Sequence, residues 1–124
     1  MAKDDDKPIY KDLSYKIVGL LIVVHKELGP YCREKQYSDL FEKKLKENII
    51  SYRREAKIGD SGNILDFIID DKIDIEFKTV PFLIQEHYNQ LKRYLYQIKH
   101  KLGIIVNFRD KRIIPKRVLN INGL

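Results

Sequence analysis

Cysteine is nearly absent from this chain. Cys32 is the single one, so no disulfide can close within the chain, and a reducing, cytoplasmic setting is expected. Long hydrophobic runs are absent too. The longest, IVGLLIVV from Ile17 to Val24, falls far short of the roughly 20 residues that cross a bilayer. His25, Lys26 and Glu27 follow it directly, so it reads as a buried helix, and no membrane partner is expected. The opening MAKDDDKP has no apolar signal core. Residues 1–9 are read as an extension that is disordered or extraneous to the native chain. No internal repeat, low-complexity segment or interior linker interrupts the rest. His25, His87 and His100 show no compact metal-ligand spacing, and Cys32 has no histidine nearby and follows no nucleophile motif. Thiol and histidine-metal chemistry therefore have no foothold in the pattern.

What is present is charge on a workable core. Of 124 residues, 44% are apolar and 34% charged, and 24 basic against 18 acidic residues leave a net charge of +6. This length suggests one domain, and the basic balance favours a polyanionic partner. Leu13, Ile17, Leu20, Leu21, Val24 and Leu28 recur at helical spacing, and Gly29-Pro30 stops that helix. A second helix is expected from near Arg33, with Tyr37, Leu40, Phe41 and Leu45 inward. IISYRREAKI suggests a first strand, and GDSGN (Gly59 to Asn63) a turn. Ile64–Ile69 and Ile73–Thr79 read as two more strands. Pro81 precedes a long helix with Ile84, Leu91, Tyr94, Leu95 and Ile98 on its apolar side, ended by Gly103. IIVNF (Ile104 to Phe108) reads as a buried strand, and a last one is expected around Ile113 and Ile114. The order α-α-β-β-β-α-β-β predicts an α/β fold on a mixed sheet.

The stretch LDFIIDDKIDIEFKT (Leu65 to Thr79) places charge where the sheet should be buried. In its second strand Ile73, Ile75 and Phe77 face one way; Lys72, Asp74, Glu76 and Lys78 face the other. Taken alone, this fits a solvated charged face. In its first strand Asp66 shares a face with Ile64 and Ile68, while Leu65, Phe67 and Ile69 occupy the opposite one, so both faces read as buried. An ionised carboxylate there needs a cation or donors. Asp66 and Glu76 come opposite each other if the connection is the three residues Asp70-Asp71-Lys72. A two-residue loop would put them on opposite faces. Two converging carboxylates repel, and a hard divalent cation such as Mg²⁺ or Mn²⁺ resolves that repulsion. Glu34 and Gln90 each sit at the edge of a helical stripe, one turn before Tyr37 and Tyr94.

These residues resemble a known pattern. GPYCREKQY (Gly29 to Tyr37) is similar to the signature of the GxxExxY family, within the PD-(D/E)XK nuclease superfamily. YKIVGLLIVVHKELGP resembles that family's first helix, LDFIIDDKIDIEFKTV its acidic hairpin, and HYNQLKRYL the helix that follows. The likeness runs from about Leu13 to Asn107. Leu65 stands where the superfamily motif has proline, and Tyr31 where a second glycine is common. The resemblance implies a restriction-endonuclease-like αβββαβ core, with residues 10–124 as one nuclease-like domain. It implies Asp66, Glu76 and Glu34 as ligands of Mg²⁺ or Mn²⁺, Lys78 as the motif lysine and Gln90 as the glutamine of the following helix. The expected activity is metal-dependent hydrolysis of phosphodiesters in nucleic acid, DNA ahead of RNA. The alternatives are an inactive nucleic-acid-binding module and a scaffold or assembly subunit of the same fold. Arg53, Arg54, Lys92 and Arg93 are candidate contacts to the nucleic-acid backbone. Homodimerisation stays open.

Overall fold

A computed structural model describes residues 9–120. Of the N-terminal extension, residues 1–8 lie outside this part, while Ile9 is placed: its carbonyl accepts from Arg117 Nη2 at 2.9 Å. Helix α1 spans Lys11–Leu28. Ile17, Leu21 and Val24, at i, i+4 and i+7, are fully buried and form its inner stripe. It stops at Gly29, whose φ of 76° suits a residue without Cβ. Helix α2, Glu34–Glu47, buries Tyr37, Phe41 and Leu45. The Tyr37 hydroxyl fastens the turn between the two helices: it donates to the Gly29 carbonyl and accepts the Cys32 N–H.

The sheet consists of β1 (Tyr52–Lys57), β2 (Ile64–Ile69), β3 (Ile73–Lys78), β4 (Leu102–Asn107) and β5 (Lys116–Leu119), with helix α3 (Gln85–Ile98) between β3 and β4. Spatial order follows sequence order. All neighbours are antiparallel except β3 and β4, which need a long crossover and get it from α3. The expected α/β class and mixed sheet are both present. So is the core order αβββαβ, with one helix before it and one strand after. Two apolar clusters fill the faces. Under α1 and α2, Phe41 meets Phe67 edge-on at 4.9 Å, and Tyr37 stacks flat on Phe108 at 4.2 Å. Under α3, Leu91, Leu95, Ile105 and Val118 pack together. No helix among the described residues is long and apolar enough to cross a membrane.

Two expected boundaries move. Helix α3 ends at Ile98 rather than at Gly103, because Lys99 takes a left-handed φ of 60° and returns its N–H to Leu95. Gly103 instead lies inside β4, where the Leu91 side chain presses on its backbone. A Cβ there would come within 2.9 Å of Leu91 Cδ2 and 3.0 Å of Cγ. The last strand begins at Lys116, after Ile113 and Ile114. Ile113 turns into the core and Ile114 is exposed, and Pro115 has no N–H to give a ladder.

These two glycine environments predict opposite outcomes. Gly103→Ala should destabilise the fold by about 1–3 kcal/mol through overpacking against Leu91. Gly19→Ala, on an exposed part of α1 with nothing near the new methyl, should stabilise by about 0.5–1 kcal/mol. Thermal melts of the two variants should therefore shift in opposite directions.

Candidate functional site

The β2–β3 ladder pairs Ile69 with Ile73, Ile68 with Asp74 and Phe67 with Ile75. The connection is thus the three residues Asp70-Asp71-Lys72, closed by left-handed Asp70 and Asp71 and by Lys72 N–H on the Ile69 carbonyl at 2.9 Å. One step further, Asp66 comes level with Glu76, and the regular pairing stops. Side chains replace it. Asp66 Oδ2 accepts the Phe77 N–H at 2.7 Å, and Glu76 Oε1 accepts the Asp66 N–H at 3.1 Å. The strands part, and the two carboxyl groups occupy the gap.

The neighbouring ladder breaks at the same level. β1 and β2 pair on either side of Glu55 and Asp66 but not between them, and Glu55 has a φ of 52°. For a residue with a Cβ this is strained by roughly 1–3 kcal/mol. Both strands roll over here. Arg54 turns toward α2, to Asp39 and Glu42, and Phe67 packs beneath that helix. Ala56 and Leu65 join the cluster under α3. Strict alternation, which put Leu65, Phe67 and Ile69 on one face, fails at Asp66, opposite the left-handed Glu55, where the hairpin turns over. The solvated-face reading of β3 also fails: Asp74 and Glu76 are buried.

Other groups gather on this gap. Lys78 Nζ lies 3.9 Å from Glu76 Oε2. Glu34, in the first turn of α2, accepts from Thr79 Oγ1 at 3.5 Å, which ties α2 to the strand end carrying Lys78. Burial pushes the Asp66 carboxyl up to about 6, against the Phe77 N–H, with Glu34 and Glu55 adding to the rise and Lys78 opposing it. Burial, then the charge of Asp66, pushes Glu76 up to about 8. Burial and the Glu76 charge likewise raise the hydroxyl of Tyr94, on α3. Gln90 is one helical turn from Tyr94, half-buried, and makes no hydrogen bond to the acids or to Lys78.

A profile of the PD-(D/E)XK nuclease superfamily matches residues 11–118. The chain belongs to that superfamily. No curated protein and no solved structure gives a significant match. The mixed sheet with flanking helices is the restriction-endonuclease-like fold of PD-(D/E)XK proteins, and members of the superfamily generally use divalent metal ions.

The PD-(D/E)XK gap suits such an ion by its chemistry. Asp66 Oδ1 and Glu76 Oε2 are left over from the backbone hydrogen bonds, and neither is sealed from solvent. Mg²⁺ takes hard oxygen ligands of this kind and keeps several waters of its own. Among the described residues no three His, Cys, Asp or Glu side chains form a ready-made cage, so Glu34 is within electrostatic reach without closing a third position. Sequence reasoning missed Glu55 and Tyr94 as neighbours of the acids. Glu55 could have been found by laying the first strand's register against Asp66. The four basic candidates are not brought together. Arg53 pairs with Asp71 at 3.3 Å, Arg54 with Asp39 at 2.8 Å and Arg93 with Glu86 at 2.8 Å. Lys92 is on α3 and has no ion pair among the described residues. At the far end of β3, Asp74 Oδ1 meets His100 Nδ1 at 2.7 Å while its Oδ2 is buried without a partner.

Raised carboxyl values fix the sign of a pH effect. A group that holds its proton more tightly when folded stabilises the fold at low pH and loses that contribution as pH rises toward its folded value. For Asp66 and Glu76 the loss runs from the unfolded range near 4 up to about 8. In EDTA, Glu76→Gln should therefore melt close to the parent at about pH 4, and should be more stable by roughly 1–3 kcal/mol at about pH 8. Thermal melts across that range check this.

Proposed function

We propose that the protein is a metal-dependent nuclease of the GxxExxY type, hydrolysing phosphodiester bonds in nucleic acid, DNA ahead of RNA. The observation that carries the reading is the convergence of a half-buried carboxylate, Asp66, and a buried one, Glu76, at a break in the sheet, with the Lys78 ammonium 3.9 Å from Glu76. Buried like charges without a compensating cation are unfavourable, so the arrangement gains by binding one. Asp66 and Glu76 would hold Mg²⁺ or Mn²⁺ through the oxygens not used by the backbone, with Glu34 contributing through water. A divalent cation supplies the Lewis acidity that polarises a phosphodiester and acidifies water. Lys78 orients the attacking water or neutralises charge developing on the phosphate. Gln90, one helical turn before Tyr94 on α3, would position the lysine or a phosphate oxygen. Of the four basic candidates, Lys92 is the one whose charge is not matched by a carboxylate among the described residues.

The test is single-turnover cleavage of plasmid, linear duplex, single-stranded DNA and RNA with Mg²⁺, Mn²⁺ or EDTA. Lys78→Ala should lower the rate by about 10²–10³ with metal affinity retained, since an ammonium is not a ligand. Glu76→Ala should lose metal binding and cleavage together, and Gln90→Ala should lose less rate than either. Salt-sensitive binding with no cleavage under any metal would replace this reading with the inactive binding module. Neither binding nor cleavage would point to the scaffold. Equal cleavage by Lys78→Ala would assign the activity to another site.

A further inference from the structure

Apart from the carboxylate site, a cavity lies between the end of α1 and the loop joining β4 to β5. It measures about 560 Å³ and is lined by Ile22, His25, Lys26, Lys111, Arg112, Ile113 and Ile114. Its composition is one-sided: three cations and no acid. The side-chain cations of Lys26, Lys111 and Arg112 have no ion pair or hydrogen bond among the described residues. Elsewhere Arg53, Arg54 and Arg93 are each matched by a carboxylate. Holding three like charges around one hollow is unfavourable in itself, and an anion seated there relieves the repulsion. Ile22, Ile113 and Ile114 add apolar walls, which suit a sugar ring better than a free inorganic anion.

The cavity is built, not incidental to a mobile loop. His25 is buried and stacks near Phe108. Its Nε2 is 2.7 Å from the Asp110 carbonyl, and a carbonyl can only accept, so Nε2 carries the proton. This bond pins the loop just before Lys111. The same loop grows from the strand edge beside Lys78: Phe108 N–H donates to the Lys78 carbonyl at 2.9 Å, and Arg109 Nη2 to the Thr79 carbonyl at 3.3 Å. Arg109 thus stands between the end of β3 and the loop residues that line the cavity.

We infer that this cavity seats a phosphate of the nucleic-acid strand, with Lys26, Lys111 and Arg112 around the phosphate and the isoleucines against its sugar. The inference rests on the nucleic-acid reading above and locates the anchoring contact on the β4–β5 loop, away from Arg53, Arg54 and Arg93.

The experiment is fluorescence anisotropy in EDTA with a short fluorescein-labelled oligodeoxythymidylate, with or without a 5′-phosphate, titrated at rising NaCl. The Lys111→Ala/Arg112→Ala variant should bind about tenfold more weakly, and the slope of log affinity against log salt should fall by about 1. Its melting temperature should be that of the parent. Lys26→Ala should weaken binding in the same direction. Lys16→Ala, which removes a charge from α1 outside the cavity, should leave affinity and slope unchanged. A loss confined to the 5′-phosphorylated strand identifies a terminal phosphate as the occupant, and an equal loss on both strands identifies an internal one. Parent-like affinity and slope in the double variant, while the parent binds, would overturn the seat and leave the proposed function standing. An equal loss in Lys16→Ala would also overturn it, since the effect would then be net charge alone. If the parent binds no strand at low salt, the seat and the nucleic-acid reading fall together.

Discussion

Two carboxylates take the place of a missing piece of β-ladder, and most of the local structure follows from that substitution. Where Asp66 and Glu76 come level, their side chains accept the N–H groups of Phe77 and Asp66. Backbone donors buried in a sheet need partners, so these bonds let the strands separate without leaving an amide unsatisfied. Each acid keeps one oxygen that these bonds do not use. The separation also brings the strain at Glu55 and the roll of the hairpin, because β1 must follow β2 through the same distortion. An uninterrupted ladder would have been more regular and would have had no opening.

A second constraint gathers the remaining groups at that end of the sheet. Tyr37 holds the turn after α1 by its hydroxyl and stacks on Phe108 by its ring. Phe108 in turn is hydrogen-bonded to the carbonyl of Lys78. One aromatic side chain thus links the start of α2, which carries Glu34, to the edge of β3, which carries Lys78. Stacked rings in a buried cluster are a stiff connection, so the acid from the helix and the lysine from the strand belong to one rigid unit.

Much of this was legible in the sequence, for identifiable reasons. The apolar stripes of α1 and α2 repeat at the helical period without interruption. The phase of Asp66 against Glu76 turned on a three-residue connection between two clear strands, and the register has that connection. Other features were hidden by their nature. Nothing in YRREAK marks Glu55 as left-handed, since that conformation is imposed by the neighbouring strand, and so the roll-over could not be read. Gly103 looked like a helix stop because glycine commonly is one. Its real constraint, contact with Leu91, comes from the crossover packing. The partnership of Asp74 with His100 depends on the parallel register that sets Asp74 beside Gly103, a relation between distant segments. Glu34 and Gln90 showed only as polar residues at the edge of a helical stripe, and the family resemblance alone gave them roles.

The way the acids are held has a consequence for how such a protein can diverge. Asp66 and Glu76 are fixed by main-chain amides, and an amide is the same whatever side chain it carries. Phe77 could exchange for another residue of similar bulk and still present the same N–H to Asp66. The surrounding strands are therefore free to drift within the limits of packing, while the positions of the two acids stay put. What survives in the sequence is a handful of charged letters at fixed spacing, set in a background that records only that the sheet is buried.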